Sequence, residues 1–241
     1  MYNVIVRLKN RAITFYFKGE KKMTEKIKNG VTELVFILDK SGSMAGMEND
    51  TIGGFNSMIE KQKGEDGQVL VSTVMFSNAS EVIHDRVSLD EIKPLTRNDY
   101  VTGGMTALLD AIGGAIHHIG NIHKYARNED VPEHTIFIIT TDGMENASRN
   151  YSSDKIKAMI KRQEEKYGWE FLFVAANIDA VETAERIGIR KERAANYDVP
   201  TGTDTLFCEM AETVTMYRKS GAIRENWKDN IEATDKRNKK K

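Results

Sequence analysis

Three short polar segments carry the residues of this chain whose types and spacing suit metal chemistry. They are Asp39-Lys40-Ser41-Gly42-Ser43, the Thr106 of Thr-Gly-Gly-Met-Thr, and the Asp142 of Thr-Thr-Asp-Gly. Their donors are two carboxylates and three hydroxyls, with no Cys or His at any of the three turns. An all-oxygen set of this kind selects Mg²⁺, with Mn²⁺ or Ca²⁺ as alternatives, over zinc or copper. Mg²⁺ takes about six oxygens at roughly 2.0–2.1 Å and keeps some waters. Ser41 and Ser43 flank Gly42, so a sharp bend can turn both hydroxyls toward one ion. With only two carboxylates the ion stays electrophilic, and an acidic group from a partner can fill the open position. Plain helix capping would also explain Ser41 and Ser43, but it leaves Thr106 and Asp142 to coincidence.

Positioning these segments requires elements that end where they begin. Residues 33–39 (ELVFILD) are a short apolar run that predicts a buried strand, and Asp39 is its last residue. Further strands are predicted over 68–76, 81–87, 134–141 and 169–175, with a weak last one over 193–199. The polar turn SNAS makes 68–87 a hairpin. Helices are predicted over 49–63, 107–125, 152–166, 179–187 and 203–219. Ile52, Phe55 and Ile59 mark the inner face of the first, and Leu108, Leu109, Ile112, Ala115, Ile116, Ile119 and Ile122 that of the second. Gly113, Gly114 and Gly120 disfavour a helix, so they imply close packing against a neighbour. Strands alternating with helices predict an α/β, doubly wound, mainly parallel sheet, and in such sheets ligands bind beyond the carboxyl ends of the strands. All three polar segments fall there or at the start of the helix between.

Asp-x-Ser-x-Ser at 39–43, followed by Thr106 and then Asp142, resembles the metal ion-dependent adhesion site of von Willebrand factor A-type (vWA) domains, with no member missing. The resemblance covers about 31–219, and TIGGFNSM, TALLDAIGGAI and TTDGMENAS are similar to stretches of bacterial and phage single-domain members. It implies a Rossmann-like six-stranded sheet in the order 3-2-1-4-5-6 with one antiparallel edge strand. It also implies that Asp39, Ser41, Ser43, Thr106 and Asp142 hold an Mg²⁺-type ion completed by a Glu or Asp of a protein partner. Thr106, rather than Thr102, takes the threonine position because it lies just ahead of the long helix.

Met44, Met47, Glu145, Asn146, Arg149, Asn177 and Asp179 are candidates for a partner-contact rim, with packing under the loop as the alternative for the two methionines and turn chemistry with an Asp179 helix cap as the alternative for the others. His117 and His118 lie off the apolar stripe and are read as solvated, Asp110 as a cap, and Cys208 as a small core residue. An enzyme is not expected, since no G-x-S-x-G elbow, phosphate loop or site histidine accompanies the donors. The alternatives are a metal-assisted phosphoryl-transfer hydrolase and a regulatory subunit of an ATPase- or chelatase-type assembly.

Composition narrows the field further. The 241 residues have a net charge of −1, made up of +6 over residues 1–30, −10 over 31–223 and +3 over 224–241. An acidic body argues against nucleic acid as a partner. Forty per cent hydrophobic residues suffice for a core, and no apolar run approaches the roughly 20 residues of a membrane span. The N-terminal 22 residues lack the continuous apolar stretch of a signal peptide, and the single cysteine excludes an intrachain disulfide, so cytoplasm is expected. The expected organisation is a basic leader over 1–30, with a start at Met23 as one possibility, a vWA-like domain over 31–221, and a charged flexible tail over 222–241.

Overall fold

The computed structural model describes residues 5–9, 12–16, 30–197 and 203–238. Two short strands, β1 (Ile5–Lys9) and β2 (Ala12–Tyr16), pair antiparallel with Lys9 opposite Ala12. The rest is one six-stranded sheet with helices on both faces. Its strands are β3 (Val31–Asp39), β4 (Gln68–Phe76), β5 (Ser80–Ser88), β6 (His134–Thr141), β7 (Glu170–Ala175) and β8 (Ala194–Asn196). They run in the order β5-β4-β3-β6-β7-β8, parallel except for β5, which pairs antiparallel with β4 at the edge. This is the expected doubly wound architecture.

The sequence dictates the layering through its period of two. Along β3, Leu34, Phe36 and Leu38 enter one core while Val35 and Ile37 enter the other, so both faces are apolar and both are covered. Helices α1 (Glu48–Lys63) and α5 (Thr203–Ser220) close the first face with Phe55, Met58, Leu206, Met210 and Val214. Helices α2 (Leu108–Tyr125), α3 (Ser153–Tyr167) and α4 (Ala180–Arg186) close the second with Leu108, Ile112, Ile116, Ile156, Ile160 and Ala184. Ser152 caps α3 through its side chain, accepting from the Lys155 N–H at 3.3 Å. The glycines of α2 divide in use. A Cβ at Gly113 would lie 2.4 Å from the Tyr151 ring, whereas Gly114 is exposed with open space beside it.

Two expectations about the periphery are corrected. The stretch from 222, read as a flexible tail, carries helix α6 (Asp229–Asn238), and Ile223, Trp227 and Ile231 are buried in the first core. Trp227 donates its indole N–H to the Glu192 carbonyl at 2.7 Å, and Lys228 donates to the carbonyls of Lys191 and Ala194, so the segment covers the end of β8. Charge concealed three apolar residues at helical spacing. Cys208, expected in the core, is exposed on α5.

Candidate metal centre

The parallel strands bring Asp39, at the end of β3, level with Thr141, at the end of β6. Asp39 is fully buried, and both its oxygens are satisfied from within the protein. Oδ1 accepts the Ser41 N–H at 2.7 Å, and Oδ2 accepts the Thr141 hydroxyl at 2.6 Å. The Tyr100 hydroxyl donates to the Asp39 carbonyl, which fixes the backbone where the strand stops. Beyond Lys40 the chain enters a single 3-10 turn over Gly42–Met44. That turn places Ser41 Oγ and Ser43 Oγ 3.1 Å apart, and Ser43 donates to Asp142 Oδ1 at 2.5 Å.

Thr106 arrives on a loop clamped from two sides. Gly103 donates to the Lys40 carbonyl at 2.8 Å and Gly42 to that of Gly104 at 3.0 Å. From the β4–β5 turn, Asn78 Oδ1 accepts the Met105 N–H at 2.6 Å and the Ser77 carbonyl accepts that of Ala107 at 2.8 Å. Gly104 has φ +82°, and a Cβ there would meet Asn78 Oδ1 at 2.9 Å, so glycine is required on both counts. Thr106 and Asn146 then exchange bonds: the Thr106 N–H donates to Asn146 Oδ1 at 2.9 Å and the Asn146 N–H to the Thr106 carbonyl at 3.0 Å. Thr102, by contrast, donates its hydroxyl to Glu48 at 2.8 Å.

Whether these residues fit a cation can be judged from two features. A Cβ built on Gly143 would lie 3.0 Å from both Ser43 Oγ and Thr106 Oγ1, and 3.8 Å from Ser41 Oγ. Three hydroxyls from two separate loops thus converge beside one point, kept clear by a glycine. Second, Asp142 Oδ2 is buried without a hydrogen-bond partner. A buried acceptor left unsatisfied costs about 1–3 kcal/mol, and more when charged. Burial raises the pKa of Asp39 against the opposing bonds from Thr141 and Ser41. Burial also raises that of Asp142, opposed by the Ser43 bond and reinforced by the Asp39 charge. Neither forms an ion pair with Lys or Arg among the described residues. Also among the described residues, no three His, Cys, Asp or Glu side chains cluster as a metal site, so a site here must draw on hydroxyls. The residues fit a hard cation.

The expected rim is used differently. Met44 and Met47 are buried (1% and 7% exposed), because the 3-10 turn rotates them beneath the loop into the α1 core. Glu145 turns inward and accepts the N–H groups of Leu109, Ala147 and Ser148 and the Ser148 hydroxyl, capping α2. Asp110 answers from the helix, accepting the N–H groups of Arg149, Asn150 and Tyr151. Asp179 caps α4 through the Glu182 N–H at 2.9 Å, while Asn177 is exposed with φ +56°. Arg149 is exposed. His117 and His118 are exposed on α2, as read. Sequence reasoning missed Thr141, Tyr100, Asn78 and Gly143. Thr141 was findable, since it precedes Asp142 and shares a rung with Asp39 once β3 and β6 are neighbours.

No family model matches the chain. It is 24% identical over 190 residues to the human collagen alpha-6(VI) chain, which covers 76% of this chain and 8% of that protein. Among solved structures it is similar to a von Willebrand factor type A protein from Catenulispora acidiphila (TM-score 0.52, 12% identity, 85% of this chain and 45% of that one). It is also similar to the ArnB paralog VWA2 of Sulfolobus acidocaldarius (TM-score 0.50, 17% identity, 83% and 48%). A third is proximal thread matrix protein 1 from the mussel byssus with a zinc-occupied MIDAS motif (TM-score 0.51, 16% identity, 80% and 47%). The chain therefore spans less than half the length of each of these relatives, and what they establish is the vWA fold.

Proposed function

We propose that this chain, a vWA-fold domain, is a divalent-metal-dependent protein-binding module. Asp39, Ser41, Ser43, Thr106 and Asp142 hold the ion, and a Glu or Asp of a protein partner completes its shell. The observation that carries this reading is the pairing of an unpartnered Asp142 Oδ2 with three hydroxyls converging beside Gly143. The zinc-occupied motif of the mussel protein supports metal binding at this place in the fold. The all-oxygen donor set of this chain favours Mg²⁺, with Mn²⁺ or Ca²⁺ as substitutes.

Each group has a stated task. Asp39 and Asp142 supply the negative charge, and Thr141, Tyr100 and Ser41 hold Asp39 in place. Ser41, Ser43 and Thr106 contribute neutral oxygens. When bound, the ion supplies a positive centre that an incoming carboxylate can coordinate. Ser43 and Gly42 are exposed, so that side of the site opens to solvent. No described helix is long and apolar enough to cross a membrane. The one cysteine, exposed as a free thiol, accords with a reducing compartment and with the cytoplasm as the proposed location.

The test is thermal melting in chelator against melting in excess MgCl₂, MnCl₂, CaCl₂ or ZnCl₂. A ligand at 100 times its dissociation constant stabilises by about 2.7 kcal/mol. Wild type should melt higher in magnesium, and Thr106→Ala and Asp142→Asn should lose the rise. An equal rise in both variants would overturn the site assignment.

A further inference from the structure

On the reading that the metal accepts a partner carboxylate, we infer that the acidic residue is flanked in the partner by apolar side chains, which seat on Met105, Met144 and Val101. Six large apolar side chains are exposed among the described residues, and these three, at 51%, 66% and 64%, stand on the two loops that deliver Thr106 and Asp142. Met105 immediately precedes Thr106, and Met144 immediately follows Gly143, whose Cβ position is 3.0 Å from Thr106 Oγ1. Both methionines are therefore attached directly next to residues that meet at the hydroxyl cradle. The fold does not need them outside. Met44 and Met47, on the neighbouring loop, are fully packed. Exposed apolar side chains clustered at a polar centre mark a contact surface, and methionine adapts its shape to what it meets.

Charge on this face agrees with an acidic occupant. The −10 of the body would repel one. Yet the carboxylates bordering the site are spent on the protein's own donors: Glu48 on Thr102 and the Gly46 N–H, Asp110 on residues 149–151, Glu145 on the start of α2, and Asp179 on α4. Lys40 is paired with Glu81. Apart from the exposed Arg149, what remains outward is apolar or neutral: Val101, Gly103, Gly104, Met105, Met144 and Asn78. A carboxylate with polar or basic flanks would leave those side chains uncovered; one between apolar neighbours covers them and excludes water from the metal bond.

The test is a phage-displayed peptide library with a fixed central Glu or Asp and randomised flanks, selected on the full chain in excess MgCl₂ and counter-selected in chelator. Expected winners carry Leu, Ile, Val, Met or an aromatic residue next to the acid. Their affinity should fall about tenfold or more in Met105→Ser/Met144→Ser, the scale of losing two apolar contacts. The magnesium-dependent rise in melting temperature of that variant should match wild type. Winners with polar or basic flanks, binding the double variant as well as wild type, would overturn the inference and leave the metal assignment standing. So would recovery of no peptide from a chain that melts higher in magnesium. A wild-type chain that melts no higher in magnesium than in chelator would overturn both.

Discussion

Strand β3 buries two carboxylates completely, one near each end, and handles them in opposite ways. Glu33, at its start, is given a guanidinium and an imidazole. Arg86 reaches it from the edge strand with Nε at 2.9 and 3.2 Å from the two oxygens, and His123 from the end of α2 approaches to 3.2 Å. The chain accepts strain for this. Arg86 sits at φ +52° beside a bulge in the β4–β5 pairing, a conformation costing roughly 1–2 kcal/mol for a residue with a Cβ. Asp39, six positions on, is given hydrogen bonds and a second carboxylate, but no Lys or Arg among the described residues. Burying a charge is tolerable when it is paired. The protein meets that requirement from within at one end of the strand; at the other, on the proposed function, a cation from solution meets it.

The largest effect expected from this contrast is at the paired end. Glu33→Ala leaves Arg86 partly buried and held by the bulge, and removing one partner of a buried pair costs about 3–5 kcal/mol. Urea unfolding should show that loss with or without magnesium. Asp39→Asn should behave differently. In chelator it removes an uncompensated buried charge, and the new amide can donate to Thr141, so stability should stay within about 1 kcal/mol of wild type or rise. In excess magnesium the same variant should lack the wild-type gain of about 2–3 kcal/mol. A drop at Asp39 in chelator as large as at Glu33 would break the comparison, because Asp39 would then be structural.

An effect of intermediate size is expected from pH. Burial raises Asp39 and Asp142 above the usual carboxylate range in the folded state. A carboxyl whose folded pKa is raised binds its proton more tightly folded than unfolded. Its contribution is present below the unfolded pKa and is lost as pH rises through the folded one. The metal-free protein should therefore lose stability as pH rises above the ordinary carboxylate range of about 4, relative to Asp39→Asn/Asp142→Asn. With magnesium the slope should reverse, since protons compete with the ion for both carboxylates. Melting curves across that range, in chelator and in magnesium, check both signs. Parallel pH profiles for wild type and the double variant in chelator would contradict the raised pair.

What could be read from residues alone follows the same division. The sheet was legible because its strands are continuous apolar runs bounded by turns, and because α2 writes its inner face at helical spacing. Asp39, Ser41, Ser43, Thr106 and Asp142 were legible because each stands where an apolar run ends or begins, and the structure brings them together. Of the two uses open to the rim residues, the structural one prevailed wherever a second partner lay close at hand. Glu145 and Asp179 found unpaired helix N–H groups, which no spacing rule distinguishes from a free carboxylate. Met44 and Met47 were carried inward where the chain, after the Ser41 N–H bonds to Asp39, enters a 3-10 turn that no spacing rule announces. Ile223, Trp227 and Ile231 were hidden by the charges between them, and the Glu33 pairing by the 53 and 90 residues that separate its partners in sequence.

The smallest change in stability should come from Gly143→Ala, and it bears most directly on the metal end of β3. Gly143 has no positive φ, so its backbone accepts alanine without strain. The added methyl would stand 3.0 Å from Ser43 Oγ and Thr106 Oγ1, tight but not overlapping, where the oxygens converge. In chelator the variant should match wild type to within about 0.5 kcal/mol, as neutral substitutions do. In magnesium it should lose most of the gain, because a methyl group occupies the space at which the three hydroxyls meet. No carboxylate is altered, so net charge, the Glu33 pair and the pH profile in chelator should be preserved. That separates the cradle from the charge that draws a cation to it. If Gly143→Ala keeps the full magnesium response, the convergence of hydroxyls is a packing feature of the loops, and Asp39 is left as a buried charge without a counter-ion to explain it.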